Sequence, residues 1–118
     1  MVELATKGNT KVGDFLMSAY GATMHRASYW QVYRIQNTKV WLVPADWTMD
    51  ATGYDAGHKK LVGSLPVGAN TELRPAKITL KGIKLATQNA DGKFIAGNHY
   101  WDYLKRVEIG HSEYTYGD

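Results

Sequence analysis

Cysteine is absent from the 118 residues. Disulfides, thiolate metal sites and cysteine nucleophiles are therefore excluded, and stability must come from packing alone. Proline occurs three times and phenylalanine twice. No apolar run approaches the ~18 residues of a spanning helix. The N-terminus lacks the charged start, apolar middle and small-residue cleavage site of a secretory leader, so neither membrane insertion nor secretion is expected. Large charge of one sign is also missing: fourteen basic residues against eleven acidic leave +3. That excess permits contact with nucleic acid or an acidic protein without demanding it. The length is that of one domain, read as 1–118, with enough chain for a single modest core.

The aromatic residues are eight Tyr, four Trp and two Phe. Most of the aromatic area thus carries a polar handle, which suits half-wet surfaces, protein interfaces and base-stacking platforms as well as pleated strands. Helical spacing of apolar residues is missing, because Gly, Pro and β-branched residues interrupt every window of a dozen. The chain reads as mainly β with little helix: five to seven short strands in a single compact small barrel or sandwich, SH3-like or OB-like. Val12 to Tyr20 forms a first strand. Ser28 to Gln36 and Thr38 to Val43 form a hairpin turned at Asn37, and Pro44 is expected to stop its second strand. Residues 45–67 read as a long loop or excursion. At Gly82 the apolar phase changes from Ile78 and Leu80 to Ile83 and Leu85, which predicts a β-bulge. Asn89 to Gly92 and Gly97-Asn98 read as turns, and 99–109 as a last strand that also fits a short helix. Residues 1–10 and 112–118 are expected to be flexible ends.

Chemistry-bearing constellations are weak. His25, His58, His99 and His111 are scattered, so no metal site and no cofactor is expected. The serines lack a nucleophile-elbow context, and Asp50 and Asp55 stand in turn-like sequence that favours Asp for local backbone reasons. No catalytic residue is assigned. Charge distribution says more: from Lys59 to Arg106 nine basic residues face three acidic, whereas 107–118 holds only acidic charge. Lys77, Lys81 and, beyond a bulge, Lys84 would share a solvent face. With Arg74, and with Trp41, Trp47 or Tyr54 beside it, this makes a candidate binding surface that combines phosphate attraction with stacking. Exposed lysines also keep strand edges from pairing, so the stripe has a purely protective reading too.

Val12-Gly-Asp-Phe-Leu-Met-Ser-Ala-Tyr-Gly21, Tyr29-Trp-Gln-Val-Tyr33, Val40-Trp-Leu-Val-Pro44, Tyr100-Trp-Asp102 and Tyr114-Thr-Tyr-Gly117 together resemble a group of small proteins encoded by tailed phages and prophages, over about 40 residues. That group carries no assigned activity. The resemblance implies a phage origin and the cytoplasm of the infected host cell. By analogy with other small phage proteins it implies a non-enzymatic binder that inhibits a host macromolecule such as a defence or transcription component. A small β-barrel that binds nucleic acid is the alternative. A protein sequestering a nucleotide or small molecule, with 45–67 as lid, is a third. The expected partner is a host protein, with nucleic acid second and no membrane, and the oligomeric state is left open.

Overall fold

The computed structural model describes residues 3–20, 25–53, 56–65, 72–88, 91, 94–96 and 103–116. Among them there is no helix, and hence none long and apolar enough to cross a membrane. The fold is mainly β and barrel-like, as the sequence predicts. Ten strands rather than five to seven are present: β1 (Glu3–Leu4), β2 (Phe15–Tyr20), β3 (Arg26–Gln36), β4 (Lys39–Gly53), β5 (Ala56–Ser64), β6 (Arg74–Ile78), β7 (Ile83–Gln88), β8 (Phe94–Ala96), β9 (Lys105–Val107) and β10 (Ser112–Tyr116). The order across the main sheet is β1-β9-β2-β3-β4-β6-β7-β8, and β5 and β10 branch from the second half of β4. Every ladder is antiparallel.

The predicted hairpin is the centre of the molecule. Asn37 takes φ +49° between Gln36 and Lys39, which face each other. Asn tolerates that left-handed conformation better than most side chains. Pro44 does not stop β4. It is the last residue of the β3 ladder, it follows the end of the β6 ladder at Leu42, and it precedes the start of the β5 ladder at Ala45. It therefore sits at the end of one ladder and in the gap between the other two, where a missing N–H costs little. β4 runs on for 15 residues and belongs to two cores.

The main sheet curls until its far strand meets its beginning. Ile83 donates its N–H to the Ala5 carbonyl at 2.8 Å, Leu104 donates to the Ile83 carbonyl at 2.8 Å, and Ala5 donates to the Leu104 carbonyl at 2.9 Å. Inside the curl Ala5, Leu16, Val32, Val40, Leu42, Ala76, Ile83 and Leu104 are buried together. A second core of Met17, Ala27, Tyr29, Ala45, Leu61 and Val107 lies where β5 covers the other ends of β2 and β3. Alternate residues of the shared strands supply these cores because successive strand side chains point to opposite faces.

Four expectations are corrected. Residues 45–53 and 56–64 are strand, not an excursion. Their alternation is hidden because inward positions carry Gly57, Gly63 and the half-buried Lys59 beside Leu61. The lid imagined over a small-molecule pocket is thus the body of a sheet. The ends are not loose where described. Glu3–Leu4 pairs with β9, the Asn9 side chain accepts the Thr6 N–H at 2.7 Å, and Ser112–Tyr116 pairs with β5 throughout. Gly82 is not a bulge: Thr79 and Gly82 exchange backbone hydrogen bonds around Leu80-Lys81, so the phase change is a hairpin reversal between β6 and β7. The predicted strand within 99–109 is present at Lys105–Val107. Residues 99–102, Gly97-Asn98, positions 54–55 and 66–67 of the expected excursion, and all of Asn89 to Gly92 except Asp91 lie outside the described residues.

Candidate functional site

The sequence-predicted binding residues do not form one surface. Lys77 and Lys84 do stand directly opposite each other on β6 and β7, on the face away from the main core, and Trp41 lies on that same face of β4. Arg74 pairs with the core residue Leu42, which puts it on the other face. Lys84 is not at the solvent side as expected. It is 5% exposed, with its ammonium 4.9 Å from the centre of the Tyr103 ring. Lys81 is exposed at the hairpin tip, Trp47 belongs to the β4–β5 half, and Tyr54 lies outside the described residues.

The β4–β5–β10 half contains a polar cluster that scattered spacings concealed. β5 and β10 pair so that Lys59 faces Glu113 and His58 faces Tyr114. His25, immediately before β3, bridges to Tyr116 by two backbone hydrogen bonds, of 2.9 and 2.8 Å. That bridge brings the His25 imidazole to Glu113, with Nε2 2.7 Å from Oε2, while His111 Nε2 lies 3.0 Å from Oε1. A carboxylate only accepts, so each Nε2 carries the proton in this pairing. Burial pushes the Glu113 carboxyl up, but the hydrogen bonds and charges of His25 and His111 outweigh it and hold it below the usual carboxylate range.

Two more groups fill the space between β3 and β5. The Lys59 ammonium donates to the Ala27 carbonyl at 2.7 Å and sits 3.9 Å from the Trp47 ring centre. Burial, with the charge of Arg26, lowers the Lys59 pKa. The Tyr29 hydroxyl lies 2.7 Å from the Lys59 carbonyl and 3.2 Å from that of His111. Burial first and the Glu113 charge second push the phenol well up from its ordinary value. Each group is spent on another part of the fold. Among the described residues no set of three His, Cys, Asp or Glu is placed to hold a metal ion.

Among the described residues, the side chains on the opposite, outward face of the same sheet carry no such commitments, apart from His25 at its edge. Thr48, Lys60 and Ser112 form one cross-strand row, and Asp50, His58 and Tyr114 form the next; all are exposed. Rings continue along it. His58 and Tyr114 centres are 5.2 Å apart, Tyr114 and Tyr116 5.5 Å, and His25 stacks on Tyr116 at 6.3 Å with 28° between planes. Tyr114 and Tyr116 stay 44% and 43% exposed, as does Val62 at 44%. In those rows Lys60 and Asp50 cancel, so the face is aromatic and near neutral. Tyr114-Thr-Tyr116 alternates at strand spacing in the sequence, a signal that the expectation of a flexible end over 112–118 passed over.

No protein-family model matches the chain, and no curated protein and no solved structure matches it.

Proposed function

We propose that this chain is a non-catalytic binding protein that docks a partner protein on the outer face of β4, β5 and β10. The phage resemblance of its sequence extends the reading to a host protein, inhibited by being covered. The observation that carries it is the exposed ring row of His58, Tyr114 and Tyr116 on a near-neutral surface. Protein interfaces are enriched in Tyr and depleted of charge at their centres, and large rings with few rotatable bonds contribute most to binding. The near absence of net charge argues against a phosphate backbone as the partner here.

The inward cluster supports the non-catalytic part. A general acid or base works best with a pKa near the operating pH. Glu113 is moved down and Tyr29 up, both away from neutrality, while Lys59 is moved down toward it; what supports the reading is that the polar atoms of all three are engaged, by His25, His111, backbone carbonyls and the Trp47 ring.

Capture from a bacterial lysate tests the reading. Immobilised full chain is expected to retain one protein in stoichiometric yield, with little change between about 50 and 200 mM salt, the range in which phosphate-driven binding collapses. A Tyr114→Ser, Tyr116→Ser variant with an unchanged melting temperature is expected to lose it, since truncating a central aromatic anchor typically costs about 2 kcal/mol or more. Equal retention by the folded variant, or no stoichiometric protein at any salt, would overturn the proposal.

A further inference from the structure

A different face, on β3, β4 and β6, brings an exposed ring and like charges together. In β3 the register runs Val32 opposite Leu42, then Arg34 opposite Trp41, so Tyr33 is an extra residue. Val32, Ile35, Val40 and Leu42 all face the main core. A bulge of this kind sets two consecutive residues against one partner. Tyr33 and Arg34 therefore both stand outward beside Trp41. Tyr33 is 57% exposed, and the Arg34 guanidinium lies 5.5 Å from the centre of the Trp41 ring.

The next row on this face is Gln36, Lys39, Lys77 and Lys84 on β3, β4, β6 and β7, each directly opposite its neighbour. Strands lie about 4.8 Å apart, and like charges directly opposite destabilise a sheet. Lys84 escapes by burying its stem and resting its ammonium on Tyr103. Lys39 and Lys77 remain abreast and exposed, and no Asp or Glu stands in either row. An arrangement that is unfavourable in the free protein becomes favourable when an extended anion lies across it.

We infer that the outer face of β3, β4 and β6 binds single-stranded nucleic acid. Lys39, Lys77 and Arg34 would meet phosphates as positive charges, and Tyr33 with the Arg34–Trp41 stack would offer planar surfaces to unpaired bases. A duplex keeps its base faces stacked and would use only the charges. An acidic protein would meet the same charges and would also pack on Tyr33, so competition by polyglutamate separates the two. The inference stands on residues separate from those of the proposed protein-docking face.

Fluorescence anisotropy of the full chain with a labelled mixed-sequence 20-nucleotide strand, and with the matching duplex, decides it. If three phosphates are neutralised, affinity for the single strand falls about twenty-fold between 50 and 200 mM salt, from a slope of about −0.7 per phosphate on single strands. Lys39→Gln with Lys77→Gln is expected to flatten that slope by about two phosphates' worth. Tyr33→Ala is expected to weaken binding several-fold at unchanged slope. Both changes lie on exposed side chains, and a melting temperature checks that each variant folds. The inference is overturned by no binding at 50 mM salt, by equal binding of duplex with no effect of Tyr33→Ala, or by polyglutamate competing as well as the oligonucleotide does.

Discussion

Gly82 fixes how the main sheet closes. Its φ is +146°, and a Cβ built there would lie 2.7 Å from the Ala5 carbonyl oxygen. That oxygen accepts the Ile83 N–H, so a side chain at 82 would push against the seam itself. Gly82→Val is expected to destabilise by more than the about 1–3 kcal/mol of backbone strain alone, read as a fall in the urea midpoint. Glu113 is the corresponding residue on the other half. Its folded pKa is depressed, so its contribution is fully present above the unfolded carboxyl value of about 4.3 and is lost as pH falls through the lower folded value. Stability measured by urea unfolding is expected to drop across that acid range, and Glu113→Gln is expected to flatten the drop. An unchanged acid limb in the variant would show that another carboxylate governs it.

At the scale of elements, β5 is tied to β3 through two side chains rather than through a ladder. Lys59 supplies a donor to the Ala27 carbonyl, and the Tyr29 hydroxyl supplies one that the Lys59 and His111 carbonyls share. Tyr29→Phe removes only the hydroxyl and is expected to cost about 1 kcal/mol, because the Lys59 carbonyl loses this donor while the His111 carbonyl keeps the Leu61 N–H. Lys59→Met keeps most of the apolar stem but not the ammonium that lies over Trp47. Near neutral pH it is expected to cost less than Lys59→Ala, since burial already disfavours the charge that Met removes. Thermal melts of the three variants give the order directly. The hairpin at Asn37 makes a further test: Asn37→Gly is expected to be close to neutral, and Asn37→Val to lower the melting temperature, because β-branching resists φ +49°.

On the scale of the whole molecule, the two cores share strands instead of lying in separate units. β2 and β3 contribute Leu16 and Val32 to one and Met17, Ala27 and Tyr29 to the other, while β4 contributes Val40 and Leu42 to the first and Ala45 to the second. Neither core keeps its strands if the other unfolds. One cooperative transition is therefore expected, with backbone circular dichroism and tryptophan fluorescence coinciding in urea. Trp30 packs against the first core, and Trp47 reports on β4 beside β5. Separate midpoints would show that the halves unfold independently.

The sequence alone determined the class of fold and its central hairpin. Aromatic and β-branched runs on either side of Asn37 carry period-two burial and turn chemistry locally, and both are properties of neighbouring residues. It also marked Gly82 as the point where the apolar phase changes, but suggested a bulge where the structure has a hairpin, and the positive φ is known only from the structure. Residues 45–64 were illegible, because inward positions at Gly57, Gly63 and Lys59 carry no apolar signal even though the strand is well paired. The sites were decided by tertiary structure. Lys39, Lys77 and Lys84 come abreast only through the β4–β6–β7 register, and His25 reaches Glu113 across 88 residues of chain. Local sequence sets which face a strand side chain takes, but which strand lies beside it is settled by the closure of the sheet, a global balance of burial and hydrogen bonding that no short window contains.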